Sequence, residues 1–132
     1  MLNNTKELVR KYNIRLTKSL GQNFLIDENI PRRIAEAAGV DSTDLVIEIG
    51  PGIGSMTREL AMKSGKVIAI EIDRHLMEAL AENMKDFTNV KIINEDVMKL
   101  DMEKTISDEK EYNGFLPGRS AVKVVANLPY YI

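Results

Sequence analysis

The 132-residue sequence has no cysteine and a single histidine, and each scarcity removes a class of chemistry. Without cysteine there is no disulfide, no thiolate metal site and no thiol nucleophile, and nothing calls for an oxidising compartment. With His75 alone, most histidine-based zinc sites are out of reach, so no metal site is expected. No apolar run approaches the length of a membrane span, and residues 1–6 lack the apolar core of a signal peptide. A cytoplasmic protein with no membrane partner is the expectation. Excess charge is also missing, since the net charge is −2. Its distribution is uneven: residues 1–40 hold seven Lys or Arg against four acids, while residues 41–132 hold eleven against sixteen. A basic N-terminal segment on an acidic body suits a phosphate-contact surface, and equally a solvated helix face. What remains is an ordinary globular composition, 44% hydrophobic and 29% charged, sufficient for one modest core.

One stretch determines the fold class. Leu45 to Ile49 is a short apolar run rich in β-branched residues with one acid inside it, which predicts a strand buried on both faces of a parallel sheet. Gly50, Gly52 and Gly54 follow, with Pro51 fixing φ between the first two, so the backbone can turn sharply and admit a ligand closely. A helix is predicted next, capped by Ser55, with Glu59 near its positive end and Gly65 as its stop. Strand, glycine turn and helix read as a nucleotide-type site, although such turns also close ordinary βα units. The third glycine comes one residue earlier than in the dinucleotide fingerprint Gly-x-Gly-x-x-Gly. Glu71 then ends the run Lys66 to Ile70, where an acid at a strand's carboxyl end accepts hydrogen bonds from both ribose hydroxyls.

The remaining elements fall into place around these two strands. A short helix is predicted over residues 4–12, then a structured loop over Leu16–Leu25, in which Asn23 offers a donor and an acceptor. Phe24 and Leu25 there can wall a flat ring or simply fill the core. Asp27 suits the cap of a helix over Glu28–Ala38, with Pro31 in its first turn, a stripe of Ile30, Ile34, Ala37 and Ala38 facing the sheet, and Gly39 as the stop. Asp73 caps a further helix from His75 to about Lys85, whose buried row is Leu76, Leu80 and Met84, with Met77 as core filler and His75 exposed. Val90–Ile93 is a third strand, and Asp96 beyond its end can accept from a purine amino group or cap a helix. Residues 101–120 read as a helical turn and a long loop. A fourth strand, Ala121–Ala126, runs into Asn127-Leu128-Pro129-Tyr130.

Asn23 in Gly-Gln-Asn-Phe-Leu, Gly50 in Gly-Pro-Gly-Ile-Gly, Glu71 in Glu-Ile-Asp, Asp96 in Glu-Asp-Val and Asn127 in Asn-Leu-Pro-Tyr-Tyr together resemble the ribosomal RNA adenine dimethyltransferases, nearest the small-subunit, kasugamycin-resistance branch. Each motif alone is weak, but the five stand in the family's order over nearly the whole chain. The resemblance implies an α/β, Rossmann-like S-adenosylmethionine-dependent methyltransferase fold, truncated after the fourth strand of a mainly parallel sheet. It implies S-adenosyl-L-methionine as cofactor, bound by Asn23, Leu25, Gly50, Gly52, Glu71, Asp96 and Asn127. The catalytic set implied is Asn127, Leu128, Pro129 and Tyr130, acting on the exocyclic amino groups of adjacent adenines in 16S rRNA of the small ribosomal subunit. The Asn127 side-chain oxygen and the Leu128 carbonyl would accept the two amine hydrogens, Pro129 would hold Leu128 extended, and Tyr130 would stack on a flipped base, a contact worth about 1–3 kcal/mol.

Members of that family are longer, with about seven strands and a helical C-terminal RNA-binding domain. Residues 1–132 are therefore expected to be the N-terminal part of the catalytic domain, with 1–40 as the basic segment and first helix and 41–132 as the βα units. Such a piece should bind cofactor weakly, methylate little and self-associate through the open edge of the fourth strand. An NAD-binding oxidoreductase, a large-subunit macrolide-resistance dimethylase and a non-catalytic rRNA-binding assembly module are the competing functions.

Overall fold

The computed structural model describes residues 2–13, 29–109, 115–116 and 118–126. Their helices are α1 (Leu2–Lys11), α2 (Asn29–Ala38), α3 (Ser55–Lys63), α4 (Met77–Met84) and α5 (Met102–Glu109). The strands are β1 (Leu45–Ile49), β2 (Lys66–Glu71), β3 (Val90–Asn94) and β4 (Val122–Ala126). Among the described residues these strands form one sheet, in the order β3-β2-β1-β4. Every pairing is parallel, with Leu45 opposite Lys66 on one side and Val122 on the other, and Val67 opposite Val90. The α/β architecture and the parallel sheet are those the sequence predicts. Because β2 and β3 add to one side of β1 and β4 to the other, the winding reverses beside β1. Such a reversal leaves a crevice outside the strands' carboxyl ends.

The period-two alternation of β1 and β2 feeds two separate cores. Val46 and Val67 pack with Ala35 of α2 and with Met56 and Leu60 of α3. Leu45, Ile47, Ile68 and Ile70 point the other way and are covered by Met102 and Ile106 of α5, by Leu100 and by Phe115. Glu48 shares the α3 face with Val46, and Glu71 shares it with Val67, by the same parity. Two acids thus stand on one side of adjacent strands near their carboxyl ends. α1 lies against α4, where Lys11 Nζ is 2.5 Å from Glu82 Oε1.

Several local expectations are corrected. On α2 the buried row contains Pro31 and Ala35, whereas Ile34 is 36% exposed and Ala37 is also exposed. The predicted stripe is turned by about one position because α2 brings small side chains to its contact with α3, where helix spacing depends on side-chain size. On α3 the N-cap is Gly54, at φ +96 and with no side-chain cap bond, so Ser55 is the first helical residue rather than the cap. Glu59 lies beyond the first turn, which carries no acid. Asp73 caps a 3-10 turn, Arg74–Leu76, by accepting from His75 N–H, and α4 begins only at Met77. The helical turn expected after residue 101 is the eight-residue α5. The proposed cap Asp27 and the loop Leu16–Leu25 lie outside the described residues.

The amino-terminal ends of the strands are joined by charge. Asp44, buried just before β1, accepts from Ala121 N–H at 2.8 Å and from Asp41 N–H at 2.9 Å, with Lys123 Nζ 3.4 Å away. Its carbonyl accepts from Gly65 and Lys66, so one residue ties β1 to the starts of β2 and β4. Burial pushes the Asp44 carboxyl up, but the Ala121 and Asp41 amides and Lys123 outweigh it and hold it below the usual range. Glu109, closing α5, takes Lys66 at 2.5 Å and also Lys91, joining β2 and β3. Asp44→Asn puts a buried amide donor against one of two N–H groups and removes the charge facing Lys123, so urea unfolding of the full-length protein should show a loss of about 1–3 kcal/mol. The wild type, whose folded carboxyl is depressed, should lose this stability as pH falls through the folded value. The variant should show a smaller decline, the remainder coming from other depressed carboxyls such as Glu109.

Candidate functional site

The crevice is built on the turn between β1 and α3. Gly50 N–H donates to Ile70 O at 3.0 Å, which keeps the chain beside β2 for one residue past the strand. Gly50, Gly52 and Gly54 then all have positive φ, at +74, +62 and +96, a region that costs other L-residues about 1–2 kcal/mol. The latter two glycines meet opposite surroundings. A Cβ on Gly54 would lie 3.0 Å from Leu80 Cδ1 and Met84 Cε and 3.3 Å from Asn83 Nδ2, so α4 closes that side. A Cβ on Gly52 would meet no described atom within 4 Å. The turn is packed behind and open in front.

Glu71, at the tip of β2, is 6% exposed and binds this turn directly. Its Oε1 accepts from Gly52 N–H at 2.9 Å, and its Oε2 accepts from Asp73 N–H at 3.0 Å. A carboxylate has about four acceptor positions, so each oxygen retains one for a ligand hydroxyl. The Glu71 carbonyl accepts from Glu95 N–H at 3.1 Å and from Asn94 Nδ2 at 2.8 Å, which fastens the tip of β3 to the same residue. Asp96 follows two residues beyond β3. Its Oδ1 accepts from Met98 N–H, so the capping role weighed for it is present, and its other oxygen is not needed for that bond.

Glu48 stands behind the turn, fully buried, with the Thr57 hydroxyl of α3 donating to its Oε1. Burial pushes its carboxyl up to about 7, the Thr57 hydroxyl draws it down, and the negative charge of Glu71 pushes it up again. The apolar surroundings conceal this acid in the sequence, where its one sign is a charged residue inside the run Leu45–Ile49. Ile72, between Glu71 and Asp73, also escapes periodicity. It is 66% exposed beside the acid, an apolar surface at the mouth of a polar crevice.

Of the residues singled out from sequence, Gly50, Gly52 and Glu71 are brought together, and Asp96 follows β3 at the same, carboxyl, end of the sheet. Asn23, Leu25, Asn127, Leu128, Pro129 and Tyr130 lie outside the described residues, although β4 ends at Ala126 opposite Ile49, immediately before Asn127. Among the described residues no group of three or more His, Cys, Asp or Glu side chains is arranged to hold a metal. Nor is any helix there long and apolar enough to cross a membrane.

A doubly wound sheet, a glycine turn open on one side and an acid hydrogen-bonded to that turn define a nucleoside-binding α/β unit. The ribosomal RNA adenine dimethylase family matches residues 13–132. Proteins named ribosomal RNA small subunit methyltransferase A are 50% identical over 128 residues in Alkaliphilus oremlandii and 48% identical over 130 residues in Clostridioides difficile. These matches cover 97% and 98% of this chain, which spans only 42% and 43% of those relatives. The 23S rRNA methyltransferase ErmE is 36% identical with a TM-score of 0.53, over 56% of this chain and 30% of its own. An RNA methyltransferase from Salinibacter ruber in complex with S-adenosyl-L-homocysteine is 28% identical with a TM-score of 0.53, over 58% of this chain and 52% of its own. The chain belongs to the ribosomal RNA adenine dimethylase family, and its fold is that of S-adenosylmethionine-dependent methyltransferases. S-adenosyl-L-methionine is the family's cofactor. The turn fits it: space opens in front of Gly52, Glu71 keeps acceptor positions, and the buried Ser55 Oγ at the start of α3 has no hydrogen-bond partner among the described residues.

Two measurements check this geometry. Gly54→Ala combines backbone strain with intrusion into α4 and should destabilise by about 2–4 kcal/mol, whereas Gly52→Ala should cost only the strain, about 1–2 kcal/mol. Thermal unfolding of the two variants gives the comparison. Between pH 4.5 and about 7 folded Glu48 holds a proton that the unfolded chain has lost. Stability should therefore fall as pH rises through that interval, by on the order of 3 kcal/mol, and Glu48→Gln should remove the slope.

Proposed function

We propose that the full-length protein carrying this sequence transfers methyl groups from S-adenosyl-L-methionine to the exocyclic amino groups of adjacent adenines in 16S rRNA. We place this in the cytoplasm, as a step of ribosome biogenesis. One observation carries the reading: the Gly52 N–H bond to Glu71 Oε1, which sets a ribose-type acceptor against the open side of the glycine turn. The names of the relatives, small-subunit rRNA methyltransferases at 48–50% identity, support the substrate.

In this reading Gly50 and Gly52 lie under the methionine portion of the cofactor. Glu71 accepts from the ribose hydroxyls, Asp96 from the adenine amino group, and Asn23 and Leu25 stand at the entrance. When bound, the cofactor supplies an electrophilic methyl group on a sulfonium. An adenine amine is a poor nucleophile because its lone pair is delocalised into the ring. Asn127 and the Leu128 carbonyl accept its two hydrogens and favour a pyramidal nitrogen whose lone pair is free to react. Pro129 restricts Leu128 to extended backbone, and Tyr130 stacks on the target base. Positioning, rather than a strong base, provides most of the rate. Among the described residues β4 has a strand neighbour on one side only, and Val124 is 60% exposed. For residues 1–132 taken alone, this edge is proposed to mediate self-association, and cofactor binding and methylation are expected to be weak.

Calorimetric titration of the full-length protein should show binding of S-adenosyl-L-methionine and none of NAD, and Glu71→Ala should weaken it by about 10- to 100-fold, the loss of one or two charge-assisted hydrogen bonds. Asn127→Ala should abolish methyl transfer while leaving rRNA binding intact. Binding of NAD instead, or unchanged affinity in the Glu71 variant, would sink the proposal.

A further inference from the structure

The carbonyl of Ile53, in the middle of the glycine turn, is claimed by a side chain from another element. Asn83 of α4 is 5% exposed, and its Nδ2 donates to Ile53 O at 2.6 Å. Its Oδ1 accepts from Arg58 Nη1 at 3.1 Å, which fixes which end of the amide faces the turn. The Arg58 guanidinium is in turn held over the Phe87 ring, 5.8 Å from its centroid. An asparagine is unexpected here, because Leu80 and Met84 on either side of it are buried hydrophobics and an apolar residue would complete the row. A buried primary amide costs free energy unless it is hydrogen-bonded at both ends. Both ends are engaged, and one of them engages backbone that frames the crevice.

We infer that Asn83 is a positioning residue for the cofactor turn, acting through Ile53 without touching the ligand. Gly52 N–H is bound from the front by Glu71, and Ile53 O is bound from behind by Asn83. The two bonds fall on consecutive residues and hold the Pro51–Gly52 and Ile53–Gly54 peptide planes, so the Gly52–Ile53 unit between them is fixed at both ends. Gly52, at φ +62 with open space where a Cβ would stand, gains no packing on that side to keep its conformation. Glycine there adopts many conformations at small cost, so an unclamped turn must be ordered by the ligand, and the ordering weakens affinity. This inference rests on the reading of the turn as the S-adenosylmethionine site.

The test uses the full-length protein and two variants. Asn83→Leu removes both polar ends while keeping the branched shape, and Asn83→Asp keeps an acceptor for Arg58 but replaces the donor facing Ile53 O by an acceptor. Wild type is titrated first with S-adenosyl-L-homocysteine, and the variants are then compared in affinity, in unfolding midpoint and in kcat at saturating cofactor. Both variants should bind about tenfold more weakly, which is about 1.4 kcal/mol, with kcat within about twofold of wild type once the site is filled. The Gly52 and Gly54 amide resonances should shift in the cofactor-free variants and move back towards the wild-type positions on saturation. Unchanged affinity in Asn83→Asp overturns the inference while leaving the function standing. So does a loss of kcat and affinity that merely tracks the fall in midpoint. Failure of wild type itself to bind overturns the function and this inference together. Should Asn83→Leu not fold, Asn83→Asp decides alone.

Discussion

The hydrogen bond from Gly52 N–H to the Glu71 carboxylate joins the exit of β1 to the tip of β2. A charged acceptor makes it stronger than an ordinary amide bond, and the Glu71 side of it is buried. Through the same residue, the Glu71 carbonyl holds Glu95 and Asn94 at the exit of β3. Three strand exits thus converge on one side chain and its backbone. The left-handed backbone of the turn, the contact of Gly54 with α4 and the Glu48–Thr57 bond behind it all serve to keep Gly52 where Glu71 can reach it.

The two ends of the sheet are secured by different physics. At the carboxyl ends, backbone groups and neutral amides do most of the holding, with Asn83 and Asn94 each donating to a main-chain oxygen. At the amino ends, Asp44 and Glu109 gather Lys123, Lys66 and Lys91.

Much of this was readable from the residues. The runs Leu45–Ile49 and Lys66–Ile70 announce buried strands, and Gly50 to Gly54 with Glu71 points to a crevice, although a glycine turn alone also closes ordinary βα units. What periodicity could not give were relations across the fold. The α2 stripe is turned because contact with α3 favours Pro31 and Ala35 over the larger Ile34, a choice that belongs to the pair of helices. The cap falls on Gly54 rather than Ser55, at a left-handed φ and against α4 with no room for a Cβ, relations that the local sequence does not display. Glu48 and Asn83 interrupt apolar rows, and only their partners Thr57 and Ile53 reveal why.

The strand order carries a kinetic consequence. Leu45 pairs with Lys66 across a short connection, but Ala121 reaches Asp44 from 77 residues away. Closing the longer loop costs about 1 kcal/mol more in chain entropy than closing the shorter, and distant pairings form late. During synthesis the half of the crevice made by the glycine turn and Glu71 can assemble while β4 is still unmade. Of the four described strands β4 is made last, so the glycine turn and Glu71 can be in place before the strand that completes the sheet beside β1.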